Sequence, residues 1–252
     1  MLPLLTPACP TGVRAVFTTR AGGASLPPYA ELNLGDHVGD GPGTVRENRA
    51  RVAAALGLAA DRLVFAEQVH GVCVALLDGS VAVPPIADAL VTRTFDLALV
   101  VMVADCVPVL LADPEAAVVA CAHAGRKGVA AGVVPAAVQA MLDCGARPEA
   151  ITGWLGPAID GCCYAVPADM AAEVADAAPG TVTYGGRTRT GEFGLDLRDG
   201  VTAQLAALGV ERVMRVGGCA NDDPDFFSYR RDGTTGRFAG LVWLTGAKDA
   251  RS

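Results

Sequence analysis

The chain has 252 residues, a net charge of -7 and 52% hydrophobic residues. This length and apolar content are enough to bury a core, which excludes global disorder and indicates one large domain, taken as residues 1–252. The negative charge disfavours nucleic acids and anionic membranes as partners, because both require a positively charged surface.

The hydrophobic pattern predicts strands that alternate with helices. It predicts strands over residues 14–19, 98–111, 117–122, 151–155 and 213–216, one or two strands over residues 62–77, and helices over residues 44–58, 128–144, 167–178 and 197–208. Thr44 is the expected N-cap of the first helix, and the Gly- and Pro-rich residues 20–34 are expected to form a long loop. The alternation favours an α/β fold with a central sheet.

The eight cysteines do not indicate a disulfide framework. The chain is longer than the small secreted domains that depend on disulfides, and Cys73, Cys106 and Cys121 lie in apolar segments. Residues 1–10 lack a basic segment and are interrupted by proline, so we expect no secretory leader. The apolar run 97–112 is too short to span a membrane. These features predict a cytoplasmic protein with reduced thiols.

Histidine is scarce, and two of the three histidines lie where a predicted strand gives way to a loop. These are His70 and His123, and Cys106 lies where a buried strand meets a proline. Ligands collect at strand ends in α/β folds. Two histidines and one cysteine suit a zinc ion with one open position, which can acidify a bound water at neutral pH. The alternative is two ordinary hydrogen-bonded histidines and an inert buried thiol.

Other polar segments offer weaker signals. Asp105 precedes the cysteine and could orient a ligating histidine, although a turn aspartate is the simpler interpretation. Cys162 and Cys163 follow a glycine at a predicted helix start, where the dipole would lower a thiol pKa, but a structural pair is the simpler interpretation. Residues 226–237 combine arginines with aromatics, which suits a phosphorylated or nucleoside-like ligand or, alternatively, a surface turn with an Arg–Asp pair.

Ten short motifs in order resemble one known family. They are FTTRAGG at 17–23, LNLG at 32–35, HVGD at 37–40, ENR at 47–49, QVHG at 68–71, ADC at 104–106, AHAG at 122–125, GPAI at 156–159, CCY at 162–164 and FFSYRRDG at 226–233. The chain resembles the laccase-domain, or polyphenol-oxidase-like, family from about residue 14 to residue 244. That family includes the peptidoglycan editing factor and purine nucleoside phosphorylases of unusual fold.

The resemblance implies a fold, a metal and an activity. The implied fold is α/β, with two packed mixed β-sheets flanked by helices in a single domain. The implied cofactor is zinc, held by His70, Cys106 and His123, which would also be the catalytic residues. The implied reactions are phosphorolysis of adenosine, inosine and methylthioadenosine and deamination of adenosine, so the expected partners are a purine nucleoside and phosphate.

The residues that would bind substrate are less defined. The candidates are Arg46, Asn48, Lys127, Tyr229 and Arg230, and the three cations among them are candidates for the phosphate site. For the polar residues that open the first helix, a solvated helix face is the simpler interpretation.

One motif departs from the family. The family usually reads His-Ala-Gly-Trp-Arg-Gly, whereas Arg126 and Lys127 occupy the Trp and Arg positions here. Lys127 keeps the positive charge of the usual arginine, whereas Arg126 replaces an aromatic side chain. This loss of an aromatic wall is expected to affect substrate preference more than metal binding. A milder departure is Ala220, where threonine is common.

Three rival functions remain open at this point. The first is an amidase that edits a cell-wall precursor. The second is a copper-dependent phenol oxidase: three histidines are too few for a multicopper cluster, although a single His₂Cys site could take Cu²⁺ in vitro. The third is a non-enzymatic binding protein with a closed, structural zinc site.

Overall fold

Thirteen strands and six α-helices form the part of the chain that the computed structural model describes, residues 2–179, 182–191 and 193–246. The ends of the predicted domain, at residues 1 and 252, lie outside the described residues. The strands are β1 (Leu4–Leu5), β2 (Val13–Thr18), β3 (Leu63–Val64), β4 (Val74–Leu77), β5 (Ala89–Thr92), β6 (Ala98–Val103), β7 (Val107–Asp113), β8 (Val118–Ala124), β9 (Thr152–Leu155), β10 (Val182–Arg187), β11 (Phe193–Leu195), β12 (Arg212–Arg215) and β13 (Phe238–Leu244).

The helices are short, and within the described residues none has both the length and the apolar content to cross a bilayer. They are α1 (Pro42–Leu56), α2 (Arg126–Ala131), α3 (Val133–Asp143), α4 (Ala168–Ala177), α5 (Leu197–Ala207) and α6 (Tyr229–Asp232).

The strands form two large mixed sheets and one hairpin. The five-stranded sheet has the order β1-β2-β13-β6-β3, the six-stranded sheet has the order β12-β9-β7-β8-β5-β4, and β10 pairs with β11. The pairs β3–β6, β4–β5 and β9–β12 are parallel and the other strand pairs are antiparallel. The predicted α/β fold with two packed mixed sheets is confirmed. The single central sheet expected from alternation alone is wrong, because strand order in a sequence does not reveal which strands pair.

The two sheets pack face to face, and helices cover their outer faces. Along β6, Leu99 belongs to the core between the sheets, whereas Val100 belongs to the core beneath α1. Along β8, Cys121 faces the other sheet and Ala122 faces the core formed with α3 and α5. The strands β6 and β8 are therefore buried on both faces, which explains their nearly continuous Val- and Ala-rich sequences. By the same alternation, His123 points to the intersheet side at the end of β8.

Two predicted elements are each divided by a backbone turn. The predicted strand over 98–111 is two strands, β6 and β7, separated by a bend in which Asp105 has φ +95°. The predicted helix over 128–144 is also two helices, α2 and α3, because Gly132 between them has φ +92°. Both breaks occur at a residue with a positive φ, and hydrophobic periodicity does not reveal where the backbone adopts that conformation.

The start of α1 differs from the predicted N-cap. Gly41 occupies that position, and Pro42 is the first helical residue, two positions before Thr44. Proline suits the first turn because its missing N–H would have no helical partner there.

Candidate active site

The three predicted metal ligands come together at one end of the intersheet layer. The ligand atoms of His70, Cys106 and His123 all lie within 4.8 Å of one another. The two imidazole rings meet edge to face, with centroids 4.6 Å apart. A His₂Cys set of this kind supplies three ligands to a tetrahedral metal and leaves one position open.

The backbone is strained on two of the three sides of this cluster. His70 has φ +60° and Asp105, the residue before Cys106, has φ +95°. Such conformations in non-glycine residues cost about 1–3 kcal/mol each and persist where the surrounding structure holds them. The strain therefore marks the two loops that bring the ligands to the cluster.

Asp88 holds the His70 loop and His123 together. Its carboxylate accepts hydrogen bonds from the backbone N–H groups of Val69, His70 and Gly71 at 3.2, 2.9 and 2.6 Å, and it lies 2.8 Å from Nδ1 of His123. Burial alone raises the pKa of Asp88, but these hydrogen bonds outweigh it and the pKa lies below its ordinary value. With Nδ1 donating to Asp88, Nε2 is the ring nitrogen left to bind a metal.

Asp105 has a different role from the one that the sequence raised for it. It accepts a hydrogen bond from the Ser228 hydroxyl at 2.6 Å and another from the backbone N–H of Arg230 at 2.7 Å. It is the turn aspartate of the simpler interpretation, and the carboxylate that orients a histidine is Asp88. Burial raises the pKa of Asp105. Through these bonds the C-terminal polar segment is fixed beside Cys106.

The charges of Cys106 and His123 depend on each other. Burial by itself raises the pKa of the Cys106 thiol, but the neighbouring His123 and His70 outweigh burial and lower it to about 6. Burial likewise lowers the pKa of His123, but Cys106 and Asp88 raise it to about 9. Without a metal, the protein therefore holds a thiolate beside an imidazolium at neutral pH. A metal ion would take the thiolate as a ligand and release the imidazolium proton.

Gly125 leaves room beside the cluster. A Cβ atom at this position would lie 2.9 Å from Cδ2 of His70 and 3.0 Å from Sγ of Cys106. Only a glycine allows both ligand side chains to keep these positions. The donor set, the oriented imidazole and this space together fit a metal ion.

The cluster opens into a cavity of about 430 Å³. Its polar wall includes the side chains of Arg126, Arg230 and Arg237, and its aromatic wall includes Tyr164 and Tyr229. The guanidinium of Arg230 lies 4.9 Å from the centre of the Tyr164 ring. A cavity of this size holds a small molecule, and the arginines favour an anionic one.

The structure divides the predicted substrate-binding residues into two groups. Tyr229 and Arg230 line the cavity, whereas Arg46, Asn48 and Lys127 are not among its lining residues. Arg46 and Lys127 are exposed on α1 and α2.

Asn48 is fully buried and holds the loop that precedes α1. Its amide donates to Ser25 Oγ and to the backbone oxygen of Asn33, and its oxygen accepts from the backbone N–H of Ala24. Asn48 therefore holds this loop in place, and the interpretation of Asn48 as part of a solvated helix face is wrong because the side chain is buried.

Sequence reasoning missed several cavity residues. His37, Gln68, Tyr164 and Arg237 line the cavity, but none was singled out as binding substrate. Arg237 is the last residue of the polar segment 226–237, so the composition of that segment could have indicated it.

The Gln68 amide forms two hydrogen bonds of 2.8 Å with the backbone of Met102. These bonds position the loop before His70, and nothing in the sequence pattern indicated them.

Cys162 and Cys163 do not begin a helix. They lie in a turn between β9 and α4, and the first residue of α4 is Ala168. Among the described residues, no helix dipole therefore acts on these two thiols. The pair lies next to Tyr164 of the cavity wall.

The family model described as multi-copper polyphenol oxidoreductase laccase matches residues 14–245. The chain is 54% identical over 231 residues to the purine nucleoside phosphorylase ORF3 of Streptomyces griseus, covering 90% of this chain and 93% of the relative. It is 51% identical over 234 residues to a purine nucleoside phosphorylase of Mycobacterium tuberculosis, covering 92% of each chain. The crystal structure of YlmD from Geobacillus stearothermophilus superimposes with a TM-score of 0.88 at 32% identity, covering 97% of this chain and 100% of YlmD.

Proposed function

The chain belongs to the multi-copper polyphenol oxidoreductase laccase family, and from this premise we propose that it is a purine nucleoside phosphorylase. The proposed substrates are adenosine, inosine and methylthioadenosine, with deamination of adenosine as a second reaction. The observation that carries the proposal is the placement of the His70–Cys106–His123 cluster in a cavity that also presents arginines and tyrosines. The names of the relatives support the same activity.

We assign zinc to the cluster. Two imidazoles and a thiolate are ligands that zinc prefers, and three protein ligands with one open position are typical of a catalytic zinc site. When bound, zinc would act as a Lewis acid and would lower the pKa of a water molecule. Asp88 supports this assignment because it fixes the His123 ring with Nε2 available, and Gly125 supports it by leaving space for both His70 and Cys106.

Phosphorolysis needs an anion site, which we assign to Arg230 and Arg237. Both line the cavity, and among the described residues no carboxylate lies within 4 Å of either guanidinium. Burial lowers the pKa of Arg237, so an anion in the cavity would compensate for the cost of keeping that guanidinium charged. Arg126 is less available, because its guanidinium lies 3.8 Å from the carboxylate of Glu173.

Tyr164 and Tyr229 are the candidates for contact with the purine ring. Both line the cavity and offer flat aromatic surfaces on which a planar base can stack. The guanidinium of Arg230 lies over the Tyr164 ring, 4.9 Å from its centre, so the aromatic wall and the anion site are adjacent. In this arrangement the nucleoside would place its base on the aromatic wall and its sugar toward the arginines, where phosphate attacks C1′ as the bond to the base breaks.

Product analysis tests the proposal. Metal-defined protein is incubated with a panel of nucleosides, with and without phosphate, and the products are identified by mass. We expect release of the free base and a sugar phosphate from adenosine, inosine and methylthioadenosine only when phosphate is present. Conversion of adenosine to inosine should not require phosphate. Absence of phosphate-dependent base release with all three nucleosides would refute the proposal.

A further inference from the structure

A second group of thiols lies outside the His70–Cys106–His123 cluster. The sulfur atoms of Cys162 and Cys163 are 3.5 Å apart, and Sγ of Cys163 is 3.4 Å from Oδ1 of Asp222. Cys219, which is buried, lies beside Cys163. We call Cys162, Cys163, Cys219 and Asp222 the thiol cluster. Three cysteines and a carboxylate from two separate segments are thus gathered around one sulfur atom.

Two loops that follow neighbouring strands bring these residues together. Cys162 and Cys163 lie in the turn that follows β9, and Cys219 and Asp222 lie in the loop that follows β12. An isolated bridge between Ala158 and Cys219 joins the two segments. The backbone N–H of Asp160 also lies 3.4 Å from Sγ of Cys219. Because β9 and β12 are neighbouring parallel strands, the segments that follow them leave the sheet at the same end.

The ligand spacing matches a tetrahedral zinc site. Zinc–sulfur bonds of about 2.3 Å and zinc–oxygen bonds of about 2.0 Å imply sulfur–sulfur separations of about 3.8 Å and sulfur–oxygen separations of about 3.5 Å. The corresponding distances in the thiol cluster are 3.5 Å for Cys162–Cys163 and 3.4 Å for Cys163–Asp222. A small outward movement of the two sulfur atoms would admit the ion.

The local charge also favours a divalent cation. Two thiolates and the Asp222 carboxylate would carry three negative charges. Arg189 pairs with Asp222 through both carboxylate oxygens, and its guanidinium also lies 3.6 Å from Sγ of Cys162. One Zn²⁺ ion together with Arg189 would therefore neutralise these three ligands, whereas a monovalent ion would leave a negative charge. A Cys219 thiolate would add one further negative charge. Because a carboxylate accepts about four hydrogen bonds, Asp222 can keep Arg189 and still offer a lone pair to a metal.

From this geometry we propose that Cys162, Cys163 and Asp222 bind a second zinc ion, with Cys219 as the candidate fourth ligand. Four protein ligands would make the site closed and structural. Tyr164, the residue after Cys163, lines the nucleoside cavity, so the ion would hold in place the loop that carries the aromatic wall. The site is separate from the first cluster and does not depend on the proposed reaction.

Metal analysis of a variant that lacks the first cluster tests the second site. His70→Ala combined with Cys106→Ala removes two of the three ligands there. After zinc loading and gel filtration, this protein should retain about one zinc per chain. Adding Cys163→Ser should reduce the bound zinc at least tenfold, whereas adding Cys144→Ser, a cysteine outside both clusters, should leave it unchanged. Circular dichroism establishes that each variant is folded.

A second measurement applies if the Cys163→Ser protein does not fold. Asp222→Asn in the same background should weaken zinc binding in a competition with a chromophoric chelator. The proposal is overturned if the His70→Ala/Cys106→Ala protein retains no zinc, or if zinc content and affinity do not respond to these changes. A disulfide among Cys162, Cys163 and Cys219 in protein purified without oxidant would overturn it as well, because a disulfide sulfur is no longer a thiolate ligand.

Discussion

Nδ1 of His123 lies 2.8 Å from Oδ1 of Asp88, and this contact selects the ring nitrogen that faces Cys106. Asp88 accepts backbone hydrogen bonds from the His70 loop as well, so a single buried carboxylate orients two of the three proposed ligands. Such outer partners of a ligating histidine raise its basicity and fix its orientation. The proposed zinc site should therefore depend on a residue that does not touch the metal.

Asp88→Asn is expected to weaken zinc binding by about 10- to 100-fold. The amide has only one oxygen, whereas in the wild-type protein the three backbone N–H groups and His123 Nδ1 are shared between two carboxylate oxygens. Competition with a chromophoric chelator measures the affinity. Asp113→Asn is the matched control: Asp113 is also fully buried and accepts three backbone hydrogen bonds, but it lies at the far end of β7. Equal zinc affinity in Asp88→Asn and wild-type protein would contradict the assigned role.

Gly125→Ala tests the space beside the cluster. The added methyl group would lie about 3 Å from Cδ2 of His70 and from Sγ of Cys106, so one of these side chains must move. We expect zinc content after gel filtration to fall by more than half of one ion per chain relative to wild-type protein while the circular dichroism spectrum is kept. The comparison is Gly79→Ala, where a Cβ would meet no atom within 4 Å. Full zinc occupancy in Gly125→Ala would mean that the ligands do not need this space.

The thiolate character of Cys106 predicts an unusual pH dependence of alkylation in metal-free protein. With a pKa of about 6, Cys106 is roughly nine-tenths thiolate at pH 7 and about one-eleventh at pH 5, so its rate should fall about tenfold on acidification and change little above pH 7. Cys121, whose pKa burial raises to about 12, should not react in the folded protein. Mass spectrometry of iodoacetamide-treated peptides measures both. A Cys106 rate that keeps rising through pH 9 would show an ordinary thiol.

The sequence predicted the His70–Cys106–His123 cluster because it offers so few alternatives. With three histidines in the chain, the two at strand ends and the cysteine beside a proline were the natural set, and the structure brings them together. Asp88 escaped the same reasoning because its contact with His123 depends on the pairing of β5 with β8, in which the backbone N–H of His123 also donates to the Asp88 carbonyl. Local patterns do not report the register of strands that are distant in sequence.

For the fold as well, local sequence predicted some strands, whereas features set by long-range strand pairing were missed. Valine-dense strands such as β6 and β8 were predicted from composition. The strand β13 was not, although it lies at the centre of the five-stranded sheet between β2 and β6. Its position is set by pairing with strands more than a hundred residues earlier, through the registers Gly240–Phe17 and Gly240–Val101. Asn48 was misjudged for a similar reason, because its buried partners lie on a preceding loop without regular structure.

Cys106→Ser separates a catalytic ligand from a buried core thiol. The exchange replaces a thiolate with a hydroxyl that stays protonated at neutral pH and binds zinc poorly. We expect adenosine deamination to fall at least about a hundredfold, with phosphorolysis falling as well, while circular dichroism shows an intact fold. Cys144→Ser should keep wild-type rates. A folded Cys106→Ser protein that retains more than about half of wild-type turnover would show that the cluster does not serve the reaction.

Arg230→Gln distinguishes the cavity arginines from the arginine that the sequence also suggested. Arg230 lines the cavity against Tyr164, whereas Arg46 is exposed on α1 and is not among the lining residues. Loss of a charge-assisted contact to phosphate should raise the KM for phosphate about tenfold or more and leave the KM for the nucleoside within about twofold. Arg46→Gln should change neither constant.

Initial rates at varied phosphate and fixed, saturating inosine measure the KM for phosphate. Initial rates at varied inosine and fixed, saturating phosphate measure the KM for the nucleoside. If Arg46→Gln raises the KM for phosphate and Arg230→Gln does not, phosphate binds outside the cavity described here and the assignment of Arg230 is wrong.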